Sequence, residues 1–401
     1  MSEVKTTIQP IAGFKVAGVA AGIKKKAGAL DFALIVSDVP CHAAGVFTTN
    51  LVKAAPVLVD QDKLNRSGGI VRAIAINSGC ANAATGQQGM DNAYETARYV
   101  AEKIGCHEDE VLVMSTGVIG VQLPMEKIKH GVDLAVDNLG ADNWELAARA
   151  IMTTDTHPKQ ASIVEDGYSV AGIAKGAGMI APNMATMLGF MVTDADLSTL
   201  EAKASLLQTA GTTFNRIVVD GDMSTNDTVL LLANGVSGAK ANSDFTSALQ
   251  VVSKQLAQAI VRDGEGVTKF VTIKVQGTED DASARQIANT IATSPLVKTA
   301  FYGNDANWGR IIAAAGRANV DFDATQIQLE VVMGAEKPEG DPLMLVFAGT
   351  PCDYSEAVAT EIVSSSEFIY TLTVGAGNGQ ATIWTCDLSH EYVSINADYR
   401  T

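Results

Sequence analysis

The sequence predicts an α/β protein of mixed β-sheets layered with helices. Three observations predict it. Short runs of β-branched and apolar residues, bounded by turn formers, recur along all 401 residues. Segments with apolar residues gathered on one helical face are interspersed among those runs from end to end. No fixed-period repeat and no long Pro/Ser linker divides the chain into an all-α and an all-β part. The order of the strands is not readable from pattern.

In the first half, strands are expected at Phe32 to Val36, Val57 to Asp60, Ile70 to Ile76 and Val111 to Ser115. Helices are expected at Asp91 to Ile104, where Ala93, Ala97, Val100 and Ala101 share a face, and at Asn143 to Met152. The second half carries longer helical patterns at Leu200 to Thr213, Ser243 to Arg262 and Ala282 to Ile291. Its strand candidates are Ile217 to Val219, Phe270 to Val275, Ile327 to Val332, Phe368 to Val374 and Thr382 to Thr385.

Composition narrows the function classes. A net charge of −16 argues against a nucleic-acid groove or an anionic membrane surface, although a local pocket can still take an acidic substrate. The five cysteines, Cys41, Cys80, Cys106, Cys352 and Cys386, are scattered and odd in number, as expected of reduced thiols in a cytosol. The apolar stretch from Ile11 to Ile23 is broken by Lys15 and followed by three lysines, so neither a secretory leader nor a membrane span is expected. A soluble, cytoplasmic protein is the expectation. There is no phosphate-loop motif, no H-E-x-x-H and no metal-like spacing among five histidines, so no cofactor or metal is expected. Cys41 and His42 are sequence neighbours, which does not by itself build a dyad.

The stretch with the most chemistry is KGAGMIAPNMATMLGF, Lys175 to Phe190, with Thr186 set between Ala185 and Met187. On pattern alone it also reads as close backbone packing around a buried, hydrogen-bonded Thr. Further blocks are AGVFTTN (44–50), NSGCANAATG (77–86), STGVIG (115–120), TTDTHPK (153–159), DGDMSTNDT (220–228), RDGEG (262–266), GNDANWGRI (303–311) and INADYRT (395–401). Together, and in this order, they resemble the ornithine acetyltransferases, or glutamate N-acetyltransferases, of cyclic arginine biosynthesis. The resemblance runs almost end to end. Cys80 stands where many relatives carry Asn, a departure that touches no catalytic position.

That resemblance implies a self-cleaving enzyme with the fold shared by DmpA-like aminopeptidases. The Ala185–Thr186 bond is cut, giving an alpha chain of residues 1–185 and a beta chain of residues 186–401 that stay together. Thr186 becomes the N-terminal nucleophile, and Thr116 and Gly117 form the oxyanion hole. Thr153, Lys175, Glu265, Asn396 and Thr401 bind substrate. The chemistry is coherent: a neutral Thr hydroxyl needs a base, and an N-terminal Thr carries its own in an α-amine with a pKa near 8. The small Ala185 and the upstream glycines leave room for Thr186 Oγ to attack the Ala185 carbonyl.

The implied reaction is a ping-pong transfer. N2-acetylornithine acetylates Thr186 and leaves as ornithine; glutamate then takes the acetyl group. Some members also accept acetyl-CoA, and no residue here decides that point. The implied assembly is a heterotetramer of two alpha and two beta chains. Two other classes stay open on the residues: a self-cleaving amidohydrolase or aminopeptidase, with water replacing glutamate, and a non-catalytic binding protein with Thr186 in its core. On pattern alone, Thr116–Gly117 is also a strand end before a glycine turn, Glu265 an acidic loop residue and Lys175 a surface lysine. GNDANWGRI is expected as a loop anchored by Trp308 and Arg310.

Overall fold

The computed structural model describes residues 2–181, 187–241 and 244–397. Ala185, Thr186 and Thr401, three of the expected site residues, lie outside the described residues. Packing divides the described residues into two units, one holding those up to Asn215 and Asp222–Ile260, the other Arg216–Gly221 and 261–397.

The first unit contains β1 (Phe14–Val19), β2 (Phe32–Phe47), α1 (Ala55–Arg66), β3 (Ile70–Cys80), α2 (Gly86–Ile104), β4 (Val111–Val118), α3 (Met125–Asp137) and α4 (Trp144–Ala150). It continues with β5 (Lys159–Glu165), β6 (Tyr168–Lys175), β7 (Leu188–Thr193), α5 (Thr199–Thr212), β8 (Thr228–Ala233) and α6 (Phe245–Arg262), which ends just past the unit boundary. Its sheet runs β4-β3-β2-β8-β7-β6-β5, with β1 added on β2. β3 pairs with β4, and β7 with β8, in parallel; the other pairs are antiparallel.

Both faces of this sheet are covered, which is why its strands read as near-continuous apolar runs. Ala33 and Ile35 of β2, with Ile74 and Ile76 of β3, enter one core together with Trp144 and Ala147 of α4 and Phe190 of β7. Their neighbours Leu34, Ala73 and Ala75 enter another, closed by Ala93, Ala97, Val100 and Ala101 of α2 and Val132 of α3. The predicted stripe on α2 is thus its buried face. Gly105, left-handed at φ 72°, ends that helix, a conformation that costs glycine little.

The second unit carries β9 (Phe270–Thr278), α7 (Asp281–Ala292), α8 (Pro295–Tyr302), α9 (Trp308–Gly316), β10 (Gln328–Met333), β11 (Leu343–Phe347) and β12 (Thr350–Pro351). It ends with α10 (Glu356–Ser364), β13 (Glu367–Thr373), β14 (Gly379–Cys386) and α11 (His390–Ala397). The sheet order is β12-β11-β10-β13-β9-β14, with only β9 and β13 parallel. Alternate residues Val271, Ile273 and Val275 of β9 and Phe368, Tyr370 and Leu372 of β13 pack on Ile287, Ala288 and Ile291 of α7. Period two on one side meets period 3.6 on the other.

Three sequence expectations change. Val57 to Asp60 belongs to α1, because Pro56 starts a helix and Val57, Val59, Asp60 and Lys63 are buried at helical spacing. Three apolar residues and an aspartate were too few to fix a period. Ile217 to Val219 makes a single bridge, Ile217 to Trp384, between a 3₁₀ turn at Phe214–Arg216 and Gly221 at φ 93°. Trp308 and Arg310 lie in α9, not in a loop: the Asn307 side chain caps it by accepting from Arg310 N at 3.1 Å, and the Arg310 guanidinium donates to Leu296 O. Among the described residues no helix is long and apolar enough to cross a membrane.

Candidate active site

The first unit brings together four of the expected residues. Lys175 is the last residue of β6 and pairs in register with Leu188, the first of β7. Its side chain is buried, contrary to the surface reading, and its Nζ donates to Thr153 Oγ1 at 2.8 Å and Thr116 Oγ1 at 3.4 Å. Thr116 is buried within β4, two residues before the strand's end. Gly117 follows at φ 131°, beside a bulge at Gly79–Cys80 of β3. A Cβ there would fall 2.4 Å from the Gly79 carbonyl carbon, so only glycine lets the two strands approach this closely.

Asp155 organises the cluster. It is fully buried, accepts from Lys159 Nζ at 2.7 Å and Gly176 N at 2.7 Å, and lies 3.8 Å from Lys175 Nζ through its other oxygen. That second oxygen also accepts from Thr153 N at 2.9 Å. Burial opposes ionisation of the Asp155 carboxyl, yet Lys175 and Lys159 overcome it and hold the group well below the usual carboxylate range. The ammonium of Lys175 is therefore held between an anion and two hydroxyl oxygens.

A second arm of the same unit comes from DGDMSTNDT. Asn226 Nδ2 donates to Ala81 O at 2.7 Å and to Ser115 O at 2.8 Å, the carbonyl just before Thr116. Asp227 accepts from Met187 N at 3.0 Å, because β7 and β8 run parallel with Leu188 opposite Thr228. Burial pushes the Asp227 carboxyl well above the usual range, against the pull of the Met187 N–H.

The second unit brings together Glu265 and Asn396. Asn396 of α11 donates through Nδ2 to Glu265 Oε2 at 2.8 Å and to Tyr392 O at 3.0 Å. Gly266, at φ 68°, is what lets the RDGEG turn lie against α11, since a Cβ there would meet Tyr392 N at 2.5 Å. Ser389 Oγ donates to Gly266 O at 2.6 Å and fastens the same contact.

Sequence reasoning missed Asp155, Asn226 and Asp227. All three lie inside blocks singled out above. The visible signal for Asp155 was an acid and Lys159 four positions apart in TTDTHPK; nothing local marks Asn226 or Asp227, whose partners are far away in sequence.

A family model described as the ArgJ family matches residues 15–401. The arginine biosynthesis bifunctional protein ArgJ of Geobacter sulfurreducens is 48% identical over 98% of this chain and 100% of its own length. Its namesake from Desulfotalea psychrophila is 47% identical, again over 98% of this chain and 100% of its own. Among solved structures, the arginine biosynthesis bifunctional protein argJ of Bacillus halodurans is 36% identical, covering 51% of this chain and 96% of that one with a TM-score of 0.47. With the match running over nearly the whole chain, this protein belongs to the ArgJ family.

Proposed function

We propose that the chain is a glutamate N-acetyltransferase of arginine biosynthesis, moving an acetyl group from N2-acetylornithine to glutamate through an acetylated Thr186. The cut between Ala185 and Thr186 divides it into chains 1–185 and 186–401 and frees the amine that activates the Thr186 hydroxyl. One observation carries the reading: the Thr116 oxygen accepts from buried Lys175, so its own hydroxyl hydrogen is left to donate elsewhere. A hydroxyl held this way, beside the Gly117 N–H, is suited to a developing oxyanion.

Thr186 Oγ attacks the acetyl carbonyl of the donor, Thr116 and Gly117 hold the oxyanion, and ornithine departs. Glutamate enters the same site and takes the acetyl group by the reverse sequence. Both exchanging partners are amines, so no metal or nucleotide has to drive the transfer. Glu265 faces the substrate α-ammonium, while Asn396 and Thr401 bind its carboxylate end. Thr153 and Lys175 complete the contacts. The relatives' name records two activities without specifying them, and we assign the second to acetyl-CoA as donor. The mature enzyme is a cytoplasmic pair of each chain.

The test is the denatured intact mass together with a transferase assay. Two fragments meeting between Ala185 and Thr186, with N-acetylglutamate formed from N2-acetylornithine, support the proposal. A single full-length mass from folded, active protein would remove the nucleophile. Acetate release without glutamate would point to a hydrolase instead.

A further inference from the structure

Ser224 to Thr228, five consecutive polar residues, are all buried where the chain enters β8. Burying polar groups is costly unless they find partners, so the hydrogen bonds of this run show what it holds. Asn226, at its centre, is fixed by its own neighbours. Its N–H donates to Ser224 Oγ at 3.0 Å, and Thr228 Oγ1 donates to its carbonyl at 3.0 Å. Thr225 Oγ1 donates to Asn226 Oδ1 at 2.7 Å, which sets the orientation of the amide. Both Nδ2 hydrogens are then used on carbonyls of other segments, Ala81 O at 2.7 Å and Ser115 O at 2.8 Å.

Those contacts bracket the Thr116–Gly117 pair. Ser115 O belongs to the same planar peptide unit as Thr116 N, so holding it places the backbone of Thr116. On the far side, Ala81 N donates to Val118 O at 3.0 Å and fixes the residue after Gly117. The bonds close a ring, from Asn226 to Ser115, along the chain to Val118, across to Ala81 and back to Asn226. This stretch needs such a ring. β4 stands at the end of its sheet and is paired along one side, with β3. Gly117, at φ 131°, has no side chain to pack and the widest choice of backbone conformations. Lys175 orients the Thr116 hydroxyl, but it does nothing for the Gly117 N–H.

We infer that Asn226 is the positioning residue of the oxyanion pair, holding Thr116 and Gly117 at the spacing that acetyl transfer requires. The inference rests on the oxyanion role proposed above for those two residues. Asn226 acts through the Ser115 and Ala81 carbonyls, which take both of its Nδ2 hydrogens. A misplacement of about 1 Å in such a site is enough to lower turnover about 100-fold.

The experiment is a double-mutant cycle of Asn226→Ala with Thr116→Val, read by steady-state kinetics with N2-acetylornithine and glutamate. Far-UV circular dichroism checks folding, and denatured intact mass checks that each variant is processed like wild type. Asn226→Ala should lower kcat about 100-fold and leave KM little changed. In the Thr116→Val background the same change should cost less than about 10-fold more, since residues acting as a unit are not additive. A kcat near that of wild type overturns the inference, as does a rise in KM alone or a loss that multiplies in full in the double variant. If Asn226→Ala yields no folded, processed enzyme, Asn226→Ser, which keeps one donor, enters the same cycle. Failure of both assigns the residue to folding alone and also overturns the inference. Wild-type turnover in Thr116→Val is a different failure: it removes the oxyanion reading itself, and the inference with it.

Discussion

Replacing Asp155 by Asn leaves two buried ammonium groups, Lys159 and Lys175, facing a neutral amide. The three side chains are 0%, 2% and 3% exposed, so water cannot substitute for the lost charge. Taking one partner from a buried ion pair costs about 3–5 kcal/mol. Asp155 also accepts from the Thr153 and Gly176 N–H groups, and whichever oxygen became the new NH₂ would meet at least one of these donors head-on. The upper part of that range, about 4–5 kcal/mol, is therefore expected. For a domain of this size each kcal/mol lowers Tm by about 2–4 °C, giving a drop of about 8–20 °C at pH 7. The pH dependence has a definite sign. The carboxyl is held below its unfolded value, so its stabilisation is present above about pH 4 and is lost as pH falls towards the folded value. Wild type should lose Tm on acidification below that point, and Asp155→Asn should lack this part of the slope. Scanning calorimetry between pH 3 and 8 (on the order of the carboxylate titration range) reads both effects. A variant melting within about 2 °C of wild type at pH 7 would show that the carboxylate is not what neutralises this cluster.

Other substitutions separate the remaining roles. Thr116→Val should lower kcat about 100- to 1000-fold and leave KM little changed, since an oxyanion donor acts mainly in the transition state; steady-state kinetics with N2-acetylornithine and glutamate decide it. Gly117→Ala puts a Cβ 2.4 Å from the Gly79 carbonyl carbon at φ 131°, so a lower Tm and lost turnover are expected together in melting and transferase assays. Deleting Thr401 should raise KM for both N2-acetylornithine and glutamate, and an unchanged KM would take that residue out of the substrate site.

Much of the architecture was legible because both sheets carry long apolar runs. Ile70 to Ile76 and Val111 to Ser115 are buried on both faces, so their strand signal is continuous, and Asp91 to Ile104 shows its stripe clearly. The short segments failed for want of period: Val57 to Asp60 could be either element until Pro56 and the spacing of Lys63 decided it. The candidate site was legible only through its blocks. Lys175 reads as a surface residue because its counter-ion, Asp155, lies twenty positions earlier on a connecting segment. Glu265 and Asn396 are 131 positions apart, and no local pattern could pair them.

The sheet explains how a chain cut at residue 185 can remain one body. β7, the first strand after the proposed cut, is bonded antiparallel to β6 from the alpha chain and parallel to β8 from the beta chain. β8 is in turn bonded to β2 of the alpha chain. In the order β2-β8-β7-β6, two strands of the later product thus lie between strands of the earlier one, and separating the products would break two ladders and expose Phe190, Val192, Leu230 and Leu232 from one shared core. Burial of four such side chains is worth several kcal/mol, about 1.5–3 each. The cut removes one covalent bond outside all of these registers. The same interleaving sets the proposed site: Met187 is held by Asp227, the residue just before β8, and Leu188 stands in register with Lys175 of β6. β7, the strand that follows the proposed cut, is therefore bonded on both sides by ladders that do not depend on that bond.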